Sequence, residues 1–139
     1  MTEFLTLFIA GVALYVSYAT AKKQESLTTQ SLKIEMYSKR YDIYKRLNDI
    51  IQRIVTNLKT FNVAYELGGI RDEVVFLFDT EIQDYLLEII NKYEIVLKND
   101  DIDKHIELLE WFDQQYSKKG LRNKFSRYLD LSNYGLSQN

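Results

Sequence analysis

Apolar side chains recur at helical spacing through most of the chain, after a nearly uniform apolar run at the N-terminus. Between Gly11 and Gly68 no Gly or Pro interrupts a helix. From Ile34 onward a seven-residue repeat fits, widened by further apolar positions, as in a helix that lies inside a bundle. The pattern predicts a long amphipathic, coiled-coil-like helix over residues 22–66, ended by the pair Gly68-Gly69.

Two rows of this repeat form the candidate interface of the protein. Its residues are Ile34, Tyr41, Asn48 and Val55 in one row, and Tyr37, Tyr44, Ile51 and Leu58 in the other. Asn48 and Asn62 have two interpretations. A buried Asn would fix register and strand number, whereas an Asn at the rim would contact water, and the width of the stripe favours the rim.

Shorter helices are predicted after the Gly pair. A hydrophobic piece over 72–78 is a short helix or a packed connector, and a polar tail covers 132–139. Between them we expect helices over about residues 81–98, 102–119 and 121–131.

Three local signals set the ends of these helices. Thr80 and Gln83 fit a capping box, and Asp101 or Asp103 is suited to cap the following helix. Gly120 is suited to end that helix. The predicted fold class is therefore all-α: an N-terminal transmembrane helix, a long amphipathic helix and an antiparallel helical bundle.

Residues 4–21 form an eighteen-residue run without charge, just long enough to cross a hydrocarbon core of about 30 Å. Lys22 and Lys23 follow it directly, whereas Glu3 is the only charged side chain before it. The positive-inside bias then predicts a single-pass anchor over 1–21, with the N-terminus outside and the rest of the chain in the cytoplasm.

Two alternatives compete with a membrane span. Ala19-Thr20-Ala21 resembles a signal-peptidase site, although the segment before it has no basic residue. Eighteen uncharged residues also suit a buried core helix. The polar stretch 22–33 is either a juxtamembrane hinge or part of one continuous helix. The bundle then extends over 34–131.

Composition and charge narrow the function. The chain has no Cys, which excludes disulfides and Cys-based zinc sites. Residues 22–59 carry nine Lys and Arg against four acids, and residues 72–113 carry thirteen acids against three Lys. Residues 118–127 are basic again. We interpret these blocks as complementary faces within the bundle or between protomers, and expect no nucleic-acid partner.

No pattern of side chains indicates catalysis, a cofactor or a metal. His105 with Asp101 lacks a third ligand, and the acidic turn Asp100 to Asp103 lacks the Gly and Glu of a calcium loop. No activated nucleophile or phosphate loop is evident, so we expect a protein that is not an enzyme. Trp111-Phe112 is either a partner anchor or, as we favour, part of the core.

Several aromatic groups carry a resemblance to a known kind of protein. They are Lys39-Arg40-Tyr41 with Ile43, Tyr44 and Leu47; Phe76-Leu77-Phe78-Asp79 with Ile82 and Tyr85; and Trp111-Phe112 with Phe125, Tyr128 and Leu129. The chain resembles a loose group of small uncharacterised bacterial single-span proteins. The resemblance implies a helical domain tethered to the bacterial inner membrane, and it supplies no catalytic residue. Some such proteins belong to mobile-element or phage-defence loci.

Three functions follow as hypotheses. The first is a membrane-anchored interaction module that binds the bilayer and other protein, foremost a second copy of itself. The alternative is a pore-type effector that perturbs the membrane, as in phage defence. A remote alternative is an enzyme or nucleotide sensor, which requires a concave pocket with converging polar groups.

Overall fold

A computed structural model describes residues 2–60 and 62–134, and every element in these ranges is helical. The elements are α1 (Thr2–Thr56), α2 (Val63–Leu77), α3 (Thr80–Lys98), α4 (Ile102–Tyr116), α5 (Leu121–Leu129) and a 3-10 helix (Leu131–Tyr134). The all-α prediction is therefore confirmed for the part of the chain that the structure describes.

The N-terminal unit contains residues up to Glu35 and consists of the first part of α1. By length and composition, α1 is the one helix among the described residues that is apolar enough to cross a membrane. None of its eighteen-residue apolar window is buried. The segment thus contributes nothing to the hydrophobic core of the chain.

The second unit begins at Met36 and contains the hydrophobic core. Within α1 the buried positions are spaced by three or four residues and form one stripe, which α2 to α5 cover with apolar stripes of their own. Fully buried members of this core from the five helices are Ile43, Leu47, Ile50, Ile51, Ile54, Leu67, Ile70, Ile82, Leu86, Ile89, Phe112 and Phe125.

The long helix ends earlier than the repeat predicts. It stops at Thr56, and the pair Gly68-Gly69 lies inside α2. Residues 57–60 and Asn62 belong to the connector, in which Asn62 adopts the left-handed conformation with φ of 64°. Asn tolerates this conformation better than most residues. The turn lets the buried stripe of α2 face the core. The burial of this stripe stabilises α2 by more than the Gly pair destabilises it, so the helix continues through Gly68 and Gly69.

Two segments left open by the sequence are helical. Residues 22–33 lie within α1 without a break, and the hydroxyl of Thr29 donates to the carbonyl of Glu25 at 2.9 Å, along the helix. Residues 72–77 form the last part of α2. No separate juxtamembrane element interrupts α1.

The predicted caps have different outcomes. The carboxylate of Asp101 accepts from the backbone N–H of Asp103 at 3.0 Å and caps α4, as expected. The capping box at Thr80 is not formed, because α3 begins at Thr80 itself with Asp79 as its N-cap residue. The side chain of Gln83 donates instead to the carbonyl of Phe78 at 3.0 Å.

The C-terminal part is more ordered than predicted. Helix α4 ends at Tyr116, before Gly120, and a short turn leads into α5. The beginning of the predicted tail forms the 3-10 helix, and Tyr134 is only 7% exposed. The Tyr134 side chain contacts residues of α1, and the polar composition of the tail did not predict these contacts. The remainder of that tail, 135–139, lies outside the described residues.

Candidate interaction surface

The predicted interface stripe is divided between core and surface. Ile51 has no exposed area and belongs to the hydrophobic core of its own chain. Val55 and Leu58 are partly buried against the same core, and Leu58 lies in the connector after α1. These three residues therefore pack within the core of their own chain, and their role in an interface stays a prediction.

The tyrosines of the stripe form an aromatic row on α1 that is contacted from within the chain. Tyr37 stacks on Tyr41, with ring centroids 6.2 Å apart. The ring of Tyr134 meets Tyr37 edge-on at 5.6 Å, and Phe125 meets Tyr44 at 5.7 Å. The C-terminal elements thus cover one side of this row, while Tyr41 keeps 43% of its surface exposed.

The remaining stripe positions lie at the surface. Ile34 is exposed and belongs to the N-terminal unit. Asn48 is half-buried beside Tyr44 and Tyr116, along a shallow groove, and Asn62 is exposed. Neither Asn is buried: Asn48 lies at the rim of the α1 stripe, and Asn62 lies in the connector before α2.

Sequence reasoning missed a cluster around Arg40. Its guanidinium lies 5.6 Å, 5.1 Å and 5.6 Å from the ring centroids of Phe78, Tyr128 and Tyr134. Its Nε donates to the carbonyl of Leu77 at 2.7 Å, and its Nη1 donates to the hydroxyl of Tyr134 at 2.8 Å. One side chain of α1 thus joins the end of α2 to the C-terminal 3-10 helix.

A polar network continues this cluster at the surface. The hydroxyl of Tyr128 donates to the carboxylate of Asp79, which also forms an ion pair with Arg127 at 2.6 Å. The hydrogen bond from Tyr128, together with the charge of Arg127, lowers the pKa of Asp79 below its ordinary value of about 3.8. Burial, followed by the contact with Asp79, raises the pKa of Tyr128. Two side chains of α5 therefore bind the Asp79 carboxylate.

Ion pairs connect the basic and acidic blocks of the sequence within the bundle. Arg46 of α1 reaches Glu73 of the acidic block at 2.5 Å, and Arg53 of α1 reaches Glu66, which precedes that block on α2, also at 2.5 Å. Arg127 of the C-terminal basic block reaches Asp79 and Glu81. The charge blocks therefore pair inside one chain, in agreement with one of the two interpretations of the sequence.

A groove of about 1120 Å³ runs beside these ion pairs and over α2. Acidic and basic side chains from α1 and α2 alternate along it, and Gly68 and Gly69 form part of its floor. On the same helix, Tyr65 and Phe76 are 85% and 84% exposed. The sequence predicted Tyr65 as part of the long helix over 22–66 and did not indicate this surface.

The side chains considered for chemistry do not converge. No group of three or more His, Cys, Asp or Glu suited to a metal occurs in residues 2–60 and 62–134. His105 contacts the carbonyl of Asn99. Phe112 is fully buried, and Trp111 lies against the core with the ammonium of Lys92 5.4 Å from its ring centroid. The favoured interpretation of the Trp-Phe pair thus agrees with the structure.

Comparison with known proteins gives no match: no family model, no curated protein and no solved structure is detectably similar to this chain.

Proposed function

We propose that the protein is a membrane-anchored helical interaction module that binds a second copy of itself. The observation that carries this proposal is the composition of α1. Its first part exposes an uninterrupted apolar surface, whereas its last part supplies the central stripe of a filled bundle. Exposed apolar area of this extent is costly in water and is typical of a surface that lipid or protein covers.

Lipid is the partner of the apolar part. Residues 4–21 match the length of a hydrocarbon core, and Lys22 and Lys23 orient the chain with its N-terminus outside the bacterial inner membrane and its bundle in the cytoplasm. The structure of the bundle suits a binding module better than it suits an enzyme. Its interior is filled by apolar side chains, and the groove beside α2 is open and lined by surface charges.

Topology can be tested cleanly because the chain has no Cys. Single-Cys variants Glu3→Cys and Lys118→Cys would be treated in intact spheroplasts with a membrane-impermeant maleimide. We expect the first variant to react before lysis and the second only after lysis. Both should stay with the membrane through an alkaline wash. Release of the full-length chain by that wash, or the reversed labelling order, would contradict the proposal.

A further inference from the structure

A small groove lies where α1 meets the turn between α4 and α5. We define this α4–α5 groove by its lining residues, which are Tyr44, Asn48, Tyr116, Ser117, Lys118 and Arg122. Its volume is about 230 Å³, its surface is mostly polar, and no described carboxylate lines it. The larger groove beside α2 and a groove along α3 differ from it, because acidic side chains line both. The α4–α5 groove thus combines two cations with neutral polar groups.

The side chains around this groove have donors that the chain does not use. Lys118 and Arg122 make no ion pair or hydrogen bond with another described residue. The amide of Asn48, which is half-buried, and the hydroxyls of Tyr44 and Tyr116 also have no hydrogen-bond partner in the described part of the chain. Side chains that can donate hydrogen bonds therefore border one small space without a partner of their own.

The first turn of α5 adds to the positive potential of the groove. It contains Arg122 and Lys124, it has no acidic residue, and no side chain caps it. The N-terminus of a helix carries partial positive charge, so anions are stabilising there and cations are not. Lys118 follows the end of α4, where a cation is favourable, but this explanation does not extend to Arg122. An anion beside Arg122 offsets the unfavourable charge at the start of α5.

We propose that the α4–α5 groove binds the phosphate group of a small phosphorylated ligand. The guanidinium of Arg122 can present paired donors to a phosphate group, and the ammonium of Lys118 supplies a point charge. The neutral donors of Asn48 and of the two tyrosines are suited to the remaining oxygen atoms. A phosphate monoester has three terminal oxygens that accept hydrogen bonds, so it uses this set of donors better than a planar carboxylate does.

The size of the groove limits what the phosphate group can carry. A volume of about 230 Å³ is smaller than the roughly 300 Å³ at which pockets for drug-sized ligands begin. The groove therefore suits one phosphate-bearing headgroup rather than a whole nucleotide. Two sources offer this chemistry, a lipid with a phosphomonoester headgroup and a soluble phosphate compound. The site does not depend on self-association, so it adds a ligand to the proposed interaction module.

Binding of inorganic phosphate to the full-length protein in discs of neutral phosphatidylcholine tests the soluble source. Equilibrium dialysis with radiolabelled phosphate at constant ionic strength should show one saturable site per chain. The site variant, Lys118→Gln with Arg122→Gln, should bind at least about tenfold more weakly, because it loses both charges of the groove. The matched control, Lys104→Gln with Arg71→Gln, changes two exposed cations outside the groove and should leave binding unchanged.

A second arm tests the lipid source. Discs that contain phosphatidic acid are compared with discs that contain phosphatidylserine, adjusted to the same surface charge. The unfolding temperature of the wild type should be higher with phosphatidic acid, because a ligand that binds only the folded state stabilises that state. The site variant should lose this difference, and the matched control should keep it. Circular dichroism before each melt verifies that both variants are folded.

The outcomes of the two arms are distinct. Phosphate binding in neutral discs that the site variant loses supports the inference with a soluble ligand. A response to phosphatidic acid alone that the site variant loses supports it with a lipid. Wild-type protein that responds to neither probe would overturn the site, as would equal responses of the wild type and the site variant. Equal weakening in the matched control would also overturn it, because the effect would then belong to net charge.

Discussion

Single side chains fix how the C-terminal segment is held on the bundle, and Arg40 is foremost among them. Its guanidinium donates two hydrogen bonds and lies against three aromatic rings. These partners are 37 and 94 residues away for the two hydrogen bonds, so no local pattern predicts them. Periodicity identifies a buried Ile or Leu within one helix, but it cannot identify a cation that is held by three elements.

Replacement of Arg40 should destabilise the bundle. We expect Arg40→Leu to lower the free energy of unfolding by about 2 kcal/mol, because it removes two hydrogen bonds and the cation–π contacts. Arg40→Lys should cost about 1 kcal/mol, since an ammonium keeps the charge and loses the planar fork. Urea unfolding followed by circular dichroism measures both changes. Equal stability of wild type and the Leu variant would contradict the assigned role.

The Asp79 network predicts a pH dependence. The folded protein lowers the pKa of this carboxyl, so its contribution to stability is present above about pH 3.8 and is lost as the pH falls through the folded pKa. We therefore expect wild type to exceed Asp79→Asn in urea midpoint near pH 6, and the difference between the two midpoints to shrink as the pH falls below about 3.8. A difference that stays constant across this range would show that the ionised carboxylate is not the stabilising species.

At the scale of elements, the sequence predicts helices well and their ends less well. The two rows of the repeat from Ile34 coincide with the buried stripe of α1 only at Ile51, and the other buried residues, Ile43, Leu47, Ile50 and Ile54, lie beside these rows. The repeat does not locate the turn after Thr56, because residues on both sides of the connector continue a helical pattern. The position of the turn depends on the contacts of α2 with the rest of the bundle. The sequence pattern of a single helix does not predict those contacts.

The stripe of α1 predicts contrasting effects for two of its members. Ile51→Ala should lower the free energy of unfolding by about 2–4 kcal/mol, because it leaves a cavity in a fully buried site. Tyr41→Ala, at a partly exposed position, should cost much less. Thermal and urea unfolding compare the two. Destabilisation of equal size in both variants would place Tyr41 in the core and contradict the division of the stripe.

Gly120 differs from the pair in α2 because the end of α4 crowds it. A Cβ atom at this position would lie 2.5 Å from the carbonyl oxygen of Gln114 and from the backbone of Gln115. We expect Gly120→Ala to destabilise the bundle by about 1–3 kcal/mol, as overpacking does. The unfolding temperature should fall in this variant. An unchanged or raised temperature would show that the turn between α4 and α5 accommodates a side chain.

At the scale of the whole molecule, the two units differ in charge and in hydropathy. The basic and acidic blocks meet as ion pairs inside the bundle, as between Arg46 and Glu73 and between Arg127 and Asp79. Two surfaces with exposed apolar side chains are the first part of α1 and the side of α2 that carries Tyr65 and Phe76. The sequence predicts the first from its length and composition. It does not reveal the second, because the outward residues of α2 become recognisable only once the Gly pair is known to lie inside a helix.

The most direct test of the central claim is the mass of the full-length protein after reconstitution into lipid discs that are supplied in excess over chains. An anchored module that pairs through its own surface predicts a population of discs that carry two chains. It also predicts that the protein cannot be recovered without lipid or detergent. Discs with a single chain at every loading would contradict self-association, and a soluble, lipid-free monomer would contradict the account as a whole.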